Sequence, residues 1–129
     1  MQNLFKLDDV YYNLSVAAIK RDAAILDGSD AGRTLSGDMD RDIIGTYYNY
    51  TMEIDNSNCD PADYDTFYEE ITAPVDYHMV EFPYGQSVLT FKAYVANVSD
   101  SLQRVTKQGN LWSGLSVKFT AMSPKRRPA

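Results

Sequence analysis

Between Ile43 and Ile54 the chain alternates with a period of two: Ile44, Thr46, Tyr48, Tyr50, Met52 and Ile54 interleave with Ile43, Gly45, Tyr47, Asn49, Thr51 and Glu53. Successive side chains of a strand point to opposite faces, whereas a helix would spread the apolar set around its surface. The segment therefore predicts a β-strand whose even face, almost wholly apolar, lies against a core. That reading also sorts the clustered tyrosines of GTYYNY. Tyr48 and Tyr50 belong to the core or its rim, Tyr47 points the other way, and no three-ring platform forms on one face.

The same period recurs along the chain. Val10, Tyr12, Leu14, Val16 and Ala18 predict a half-buried strand running to about Lys20. From Tyr77 to Phe82, His78, Val80 and Phe82 alternate with Tyr77, Met79 and Glu81; from Val88 to Val98, Leu89, Phe91, Ala93 and Val95 alternate with Thr90, Lys92 and Tyr94. The last strand, Leu111 to Met122, sets Leu111, Leu115, Val117 and Phe119 against Trp112, Ser116, Lys118 and Thr120. One segment is helical. Asp60 suits an N-cap and Pro61 the first helical position. Tyr64, Phe67, Tyr68 and Ile71 make one apolar stripe, and Pro74 stops the helix near Thr72. Two polar stretches join these elements: the glycine-containing Asp27 to Asp42, read as a long loop flanked by a protruding strand pair, and Ser99 to Asn110, read as a connection. Short turns favour antiparallel pairing. The expected fold class is α+β, mainly antiparallel β in the order β-β-α-β-β-β, a sandwich or open barrel with one helix. It forms a single domain over residues 1–129, with a basic C-terminal tail at 123–129.

A chain of 129 residues buries roughly two-thirds of its unfolded surface, enough for one core. Its formal net charge of -6 disfavours nucleic-acid backbone and anionic membrane as partners, since both require a positive field. Lys125-Arg126-Arg127 is a local exception. The single cysteine, Cys59, allows neither an intrachain disulfide nor a Cys-rich zinc site. The opening residues lack the basic and apolar regions of a signal peptide, and no apolar run approaches a membrane span. The N-x-S/T triplets at Asn13, Asn49 and Asn97 then read as chance matches.

Candidate chemistry is sparse. His78 is the only histidine, so any nucleophile–histidine arrangement must use it. Its place on the Val80–Phe82 face reads as a core or rim histidine with a hydrogen-bond partner. Asp38, Asp40 and Asp42 share the spacing of the first ligands of an EF-hand, yet Ile43 stands where the glycine belongs and Asn49 where the bidentate Glu belongs. Glu69 and Glu70 are neighbours on the helix and point to different sides. No phosphate-binding glycine motif or nucleophile elbow is present. The expectation is a non-enzymatic protein without catalytic residues, metal or cofactor. Exposed rings opposite the core set, Tyr47, Tyr94 and Trp112, suit a protein interface, as do open strand edges. Trp112 reads equally as an interface anchor or as a cap on the core beneath the helix.

Three stretches carry a resemblance: AAIKRDAAILDGSDAGRTLSGDMDRDIIGTYYNYTMEI, DYDTFYEEITAPVDYHMVEFPYGQ and LWSGLSVKFTAMSPKRRP. From about Val16 onward the chain resembles small proteins encoded in prophage tail modules of Gram-positive bacteria. IIGTYYNY, ITAPVDYH and the W-x-G-L-x-V-x-F-x-A ending are the most specific features. The β-β-α-β-β-β order is similar to that of the tail-tube fold, shared by tail tubes, completion proteins and baseplate or distal tail proteins. The resemblance implies a viral structural protein of the virion tail, present in the host cytoplasm during assembly. Its implied partners are other phage tail proteins and itself, as a ring-forming homo-oligomer such as a hexamer. It implies that residues 27–42 contact a neighbouring subunit, with Arg33 and Arg41 pairing acidic groups there, and that Lys125, Arg126 and Arg127 meet an acidic surface of the next subunit. Two other readings stay open. One is a carbohydrate-binding baseplate module that stacks sugars on Tyr47 and Trp112; the other is an enzyme built on His78.

Overall fold

The computed structural model describes residues 5–12, 14–28, 31–55, 61–107 and 109–127. Its strands are β1 (Lys6–Leu7), β2 (Val10–Tyr11), β3 (Ser15–Asp27), β4 (Gly32–Arg33), β5 (Met39–Asp40), β6 (Ile43–Asp55), β7 (His78–Tyr84), β8 (Ser87–Tyr94), β9 (Val98–Thr106) and β10 (Gly109–Ala121), with one helix, α1 (Pro61–Ile71). The protein is thus mainly antiparallel β, with a single helix among the described residues. Eight strands form one open sheet in the order β2-β1-β7-β8-β10-β6-β3, with β9 added on β10. The sheet does not close on itself.

β10 explains how one sheet encloses a core. Leu115 to Phe119 pair with Ile54 to Tyr50 on one edge. The other edge is shared end to end: Thr120 and Ala121 pair with β8, and Gly109 to Val117 pair with β9. The sheet divides there into two halves that turn toward each other. Tyr50 of β6 stacks on Phe82 of β7, centroids 4.6 Å apart, and Phe119 meets Phe82 at 5.2 Å. Helix α1 fills the open end. Phe67, fully buried, packs edge-on against Phe5 and Tyr12 at 5.5 and 5.3 Å.

The expected helix and the strands around His78, Leu89, Tyr50 and Leu115 lie where the periodicity puts them, except that the strand expected to run from Val88 to Val98 ends at Tyr94. Pro61 opens α1, while the cap expected at Asp60, Cys59 and Asn13 fall outside the described residues. Four differences have physical causes. The segment from Ser99 is not a connection but most of β9. It shows no clean alternation because it is exposed on both faces, and it forms because β8 stops at Tyr94 and leaves the edge of β10 vacant. The strand expected at Val10 to Lys20 breaks at Tyr12. Asp8 and Asp9, with φ of 49° and 69°, make the tight turn between β1 and β2, which brings Phe5 and Leu7 into the core and leaves Val10 exposed.

The third difference is a bulge. Val16 pairs with Ile54 but Ala18 with Glu53, so Ala17 is an extra residue that switches the inward face from Val16 to Ile19. The fourth is the length of the β3–β6 ribbon. Its pairing runs from Ser15↔Asp55 to Asp27↔Ile43, and only its root, from Tyr50 to Ile54, buries the even face; Ile44 near the tip is exposed. The stretch between the strands carries a small hairpin, β4–β5.

Candidate functional site

Among the described residues the chemistry-bearing side chains fall into four places. His78 is buried, 3% exposed, with Nδ1 2.7 Å from Oδ2 of Asp8. The other oxygen of Asp8 accepts the Met79 amide at 2.9 Å, and the Asp8 amide donates to the Met79 carbonyl at 2.7 Å. Three bonds therefore pin the β1–β2 turn to the start of β7. A groove of about 430 Å³ passes beside it, lined by Lys6, Asp8, Asp9, Met79, Val80, Glu81 and Thr90, without the imidazole. His78 has the partner expected of a core histidine: its Nδ1 faces the Asp8 carboxylate.

The second place lies where the ribbon leaves the core. The Tyr84 hydroxyl donates to that of Tyr48 at 3.3 Å, and their rings meet edge to face. The Arg21 guanidinium lies 5.3 Å from the Tyr84 ring centroid. The hydrogen bond from Tyr84, and then the Arg126 guanidinium beside it, hold the Tyr48 phenol below the usual tyrosine range, while Tyr84, sharing that bond, is raised. Tyr50 deeper in is raised by burial, and its hydroxyl donates to the Pro83 carbonyl at 2.8 Å. Arg21, Asp22, Ala23, Tyr48 and Tyr84 line an opening of about 370 Å³ here. Among the described residues, neither guanidinium has a carboxylate within ion-pair distance.

The third place is a groove of about 440 Å³ between α1 and the β9–β10 pair, lined by Tyr64, Asp65, Tyr68, Glu69, Asp100 and Trp112. The Tyr64 hydroxyl donates to Asp100 at 3.0 Å. Trp112 thus borders the helix without being sealed by it. It stands at the groove edge, partly exposed.

The fourth place is the ribbon tip. Arg41 makes a two-pronged bond to Asp27, Nε to Oδ1 at 3.1 Å and a terminal nitrogen to Oδ2 at 3.2 Å, which closes the ends of β3 and β6 on each other. Arg33 donates to the Gly37 carbonyl at 3.0 Å. Both arginines expected to reach a neighbour hold partners within their own chain. The basic tail does likewise: Lys125 Nζ donates to the Thr90 carbonyl at 3.2 Å, and the backbones of Lys125 and Arg126 bond Thr46 on β6. Arg127 is exposed. Tyr94 is exposed at the end of β8, whereas Tyr47 is half-buried and packs against the core, because the tail lies over its face of β6 at Gly45. Tyr47 and Trp112 do not share a groove. Among the described residues no three His, Cys, Asp or Glu side chains come together as metal ligands, and no helix is long and apolar enough to cross a membrane.

Periodicity alone misses two residues of consequence. Asn49 on the outer face of β6 is buried, its Nδ2 donating to Asp22 at 3.0 Å and its Oδ1 accepting the Ala121 amide at 2.9 Å, so one side chain ties together β3, β6 and β10. A lone amide inside a tyrosine-rich strand is the only trace it leaves in the sequence. Arg21 leaves none, since its inward direction follows from the bulge at Ala17. In comparison with known proteins, no family model matches the chain and no curated protein matches its sequence.

Proposed function

We propose that this protein is a non-enzymatic structural component of a phage or prophage tail or baseplate, with a tail-tube-like fold, assembling with copies of itself and with other tail proteins through its ribbon and its sheet edges. One observation carries the reading. Ile25, Leu26, Leu35, Met39, Ile43 and Ile44, all 40% or more exposed, cluster on the distal part of the β3–β6 ribbon and the stretch it carries. An exposed apolar surface of this kind at the end of a two-stranded arm supports a protein contact. The outer edge of β3 supports the same role. Lys20, Arg21 and Asp22 guard its middle with charge, while Ala23 to Leu26 leave the distal half open to pairing.

Native mass measurement followed by negative-stain imaging tests the proposal: rings, hexameric among them, or spontaneous tubes are expected, and a monomer at every concentration refutes it. The alternative, a carbohydrate-binding module, rests on Trp112 with Tyr68 in place of the Tyr47–Trp112 pair. Trp112 is the one tryptophan, so a change in its fluorescence on adding oligosaccharides decides for that reading.

A further inference from the structure

Two surfaces of the chain are each unfavourable alone and complementary together. Helix α1 carries Asp63, Asp65, Glu69 and Glu70 and no basic residue. Asp65 and Glu69 stand four apart, on one face, where like charges repel. Glu69 and Glu70 also occupy the last turn, where the helix dipole favours cations. Among the described residues neither Asp65 nor Glu69 has a cation within ion-pair distance. Beside them, Trp112 and Tyr68 offer aromatic faces, the surfaces on which a guanidinium stacks. The Arg21–Arg126 cluster is the reverse: two cations converge on Tyr48 and Tyr84, and among the described residues no carboxylate lies within ion-pair distance of them. Asp22 borders that opening, but one of its oxygens accepts Asn49.

The two surfaces lie far apart along the strands. In the β6–β10 register, Trp112 is three residues beyond the Leu115–Ile54 pair and Tyr48 six residues before Ile54, roughly 25–30 Å apart along the strands at ~3.3 Å per residue. They cannot satisfy each other within one chain. We propose that they meet between chains: the Arg21–Arg126 cluster of one copy docks into the groove of Asp65, Glu69 and Trp112 on the next. A contact between two different patches of one chain is head to tail and propagates into a ring or a filament. The charge pairs fix register and speed encounter, and the apolar ribbon tip supplies buried area. This inference rests on the self-assembling role proposed above and assigns the contact that orders it.

The test is a charge swap. One variant carries Arg21→Glu with Arg126→Glu, the other Asp65→Arg with Glu69→Arg, and sedimentation velocity follows association at about 0.05 M and about 0.5 M salt. Expected are self-association of the wild type that weakens at high salt, at least tenfold weaker self-association for each variant, and recovery when the two variants are mixed. Swapped variants that associate like the wild type, or a mixture that stays apart, overturn this contact while leaving the structural role standing. A wild type that is monomeric throughout overturns both. Should a swapped chain fail to fold, Arg126→Gln and Glu69→Gln, at exposed positions, keep the question open to refutation: unchanged salt dependence in both sinks the proposal.

Discussion

Replacing Asn49 with alanine removes a side chain that three strands share. Its two bonds differ in worth. Asp22 is exposed and recovers water, so losing the 3.0 Å bond to it costs about 1 kcal/mol. The Ala121 amide is buried beneath Asn49 at 2.9 Å, and leaving it unpaired costs about 1–3 kcal/mol. The sum, about 2–4 kcal/mol, lowers the urea midpoint by about 1–2 M for a domain of this size. Hydrogen exchange at the Ala121 amide should quicken well beyond that of the β7–β8 ladder. Asp22→Ala is the control and should cost only about 1 kcal/mol, since it leaves the Ala121 bond in place. If Asn49→Ala costs less than about 0.5 kcal/mol, or Asp22→Ala costs as much as Asn49→Ala, the clamp is not what holds the ribbon root to β10.

Further outcomes follow from the same packing. A Cβ built on Gly45 comes within 2.5 Å of the Arg126 carbonyl and 2.6 Å of Pro124, so Gly45→Ala should lift the tail off β6, costing about 1–3 kcal/mol and exposing the tail to limited proteolysis. Phe67→Ala empties the space between Phe5 and Tyr12 and should cost about 3–5 kcal/mol in thermal or urea unfolding. On alkaline titration, the Tyr48–Tyr84 pair should lose its first proton below the ordinary tyrosine value, and Tyr48→Phe should abolish that early step in phenolate absorbance. Tyr12 and Tyr50 are raised by burial, so their contribution to stability is intact below the unfolded value of about 10 and is lost as pH rises through their folded values; unfolding should follow their ionisation.

Much of this protein is written in local pattern. A period of two over Tyr50–Ile54, His78–Phe82, Leu89–Ala93 and Leu115–Phe119 specifies which side chains are buried, because a strand has only two faces and one of them must leave water. The Tyr64–Phe67–Tyr68–Ile71 stripe specifies the helix for the same reason. Tertiary structure decided what pattern cannot encode. β9 exists because a neighbouring strand ends early and leaves an edge to pair, a fact about β8 and β10 with no counterpart in the residues of β9 itself. Ala17 becomes a bulge only in register with Ile54 and Glu53, and that single inserted residue turns Arg21 toward Tyr84. The acidic groove and the arginine cluster draw residues from distant parts of the chain. Their composition was always in the sequence, but their juxtaposition is a product of long-range pairing, which one-dimensional periodicity does not carry.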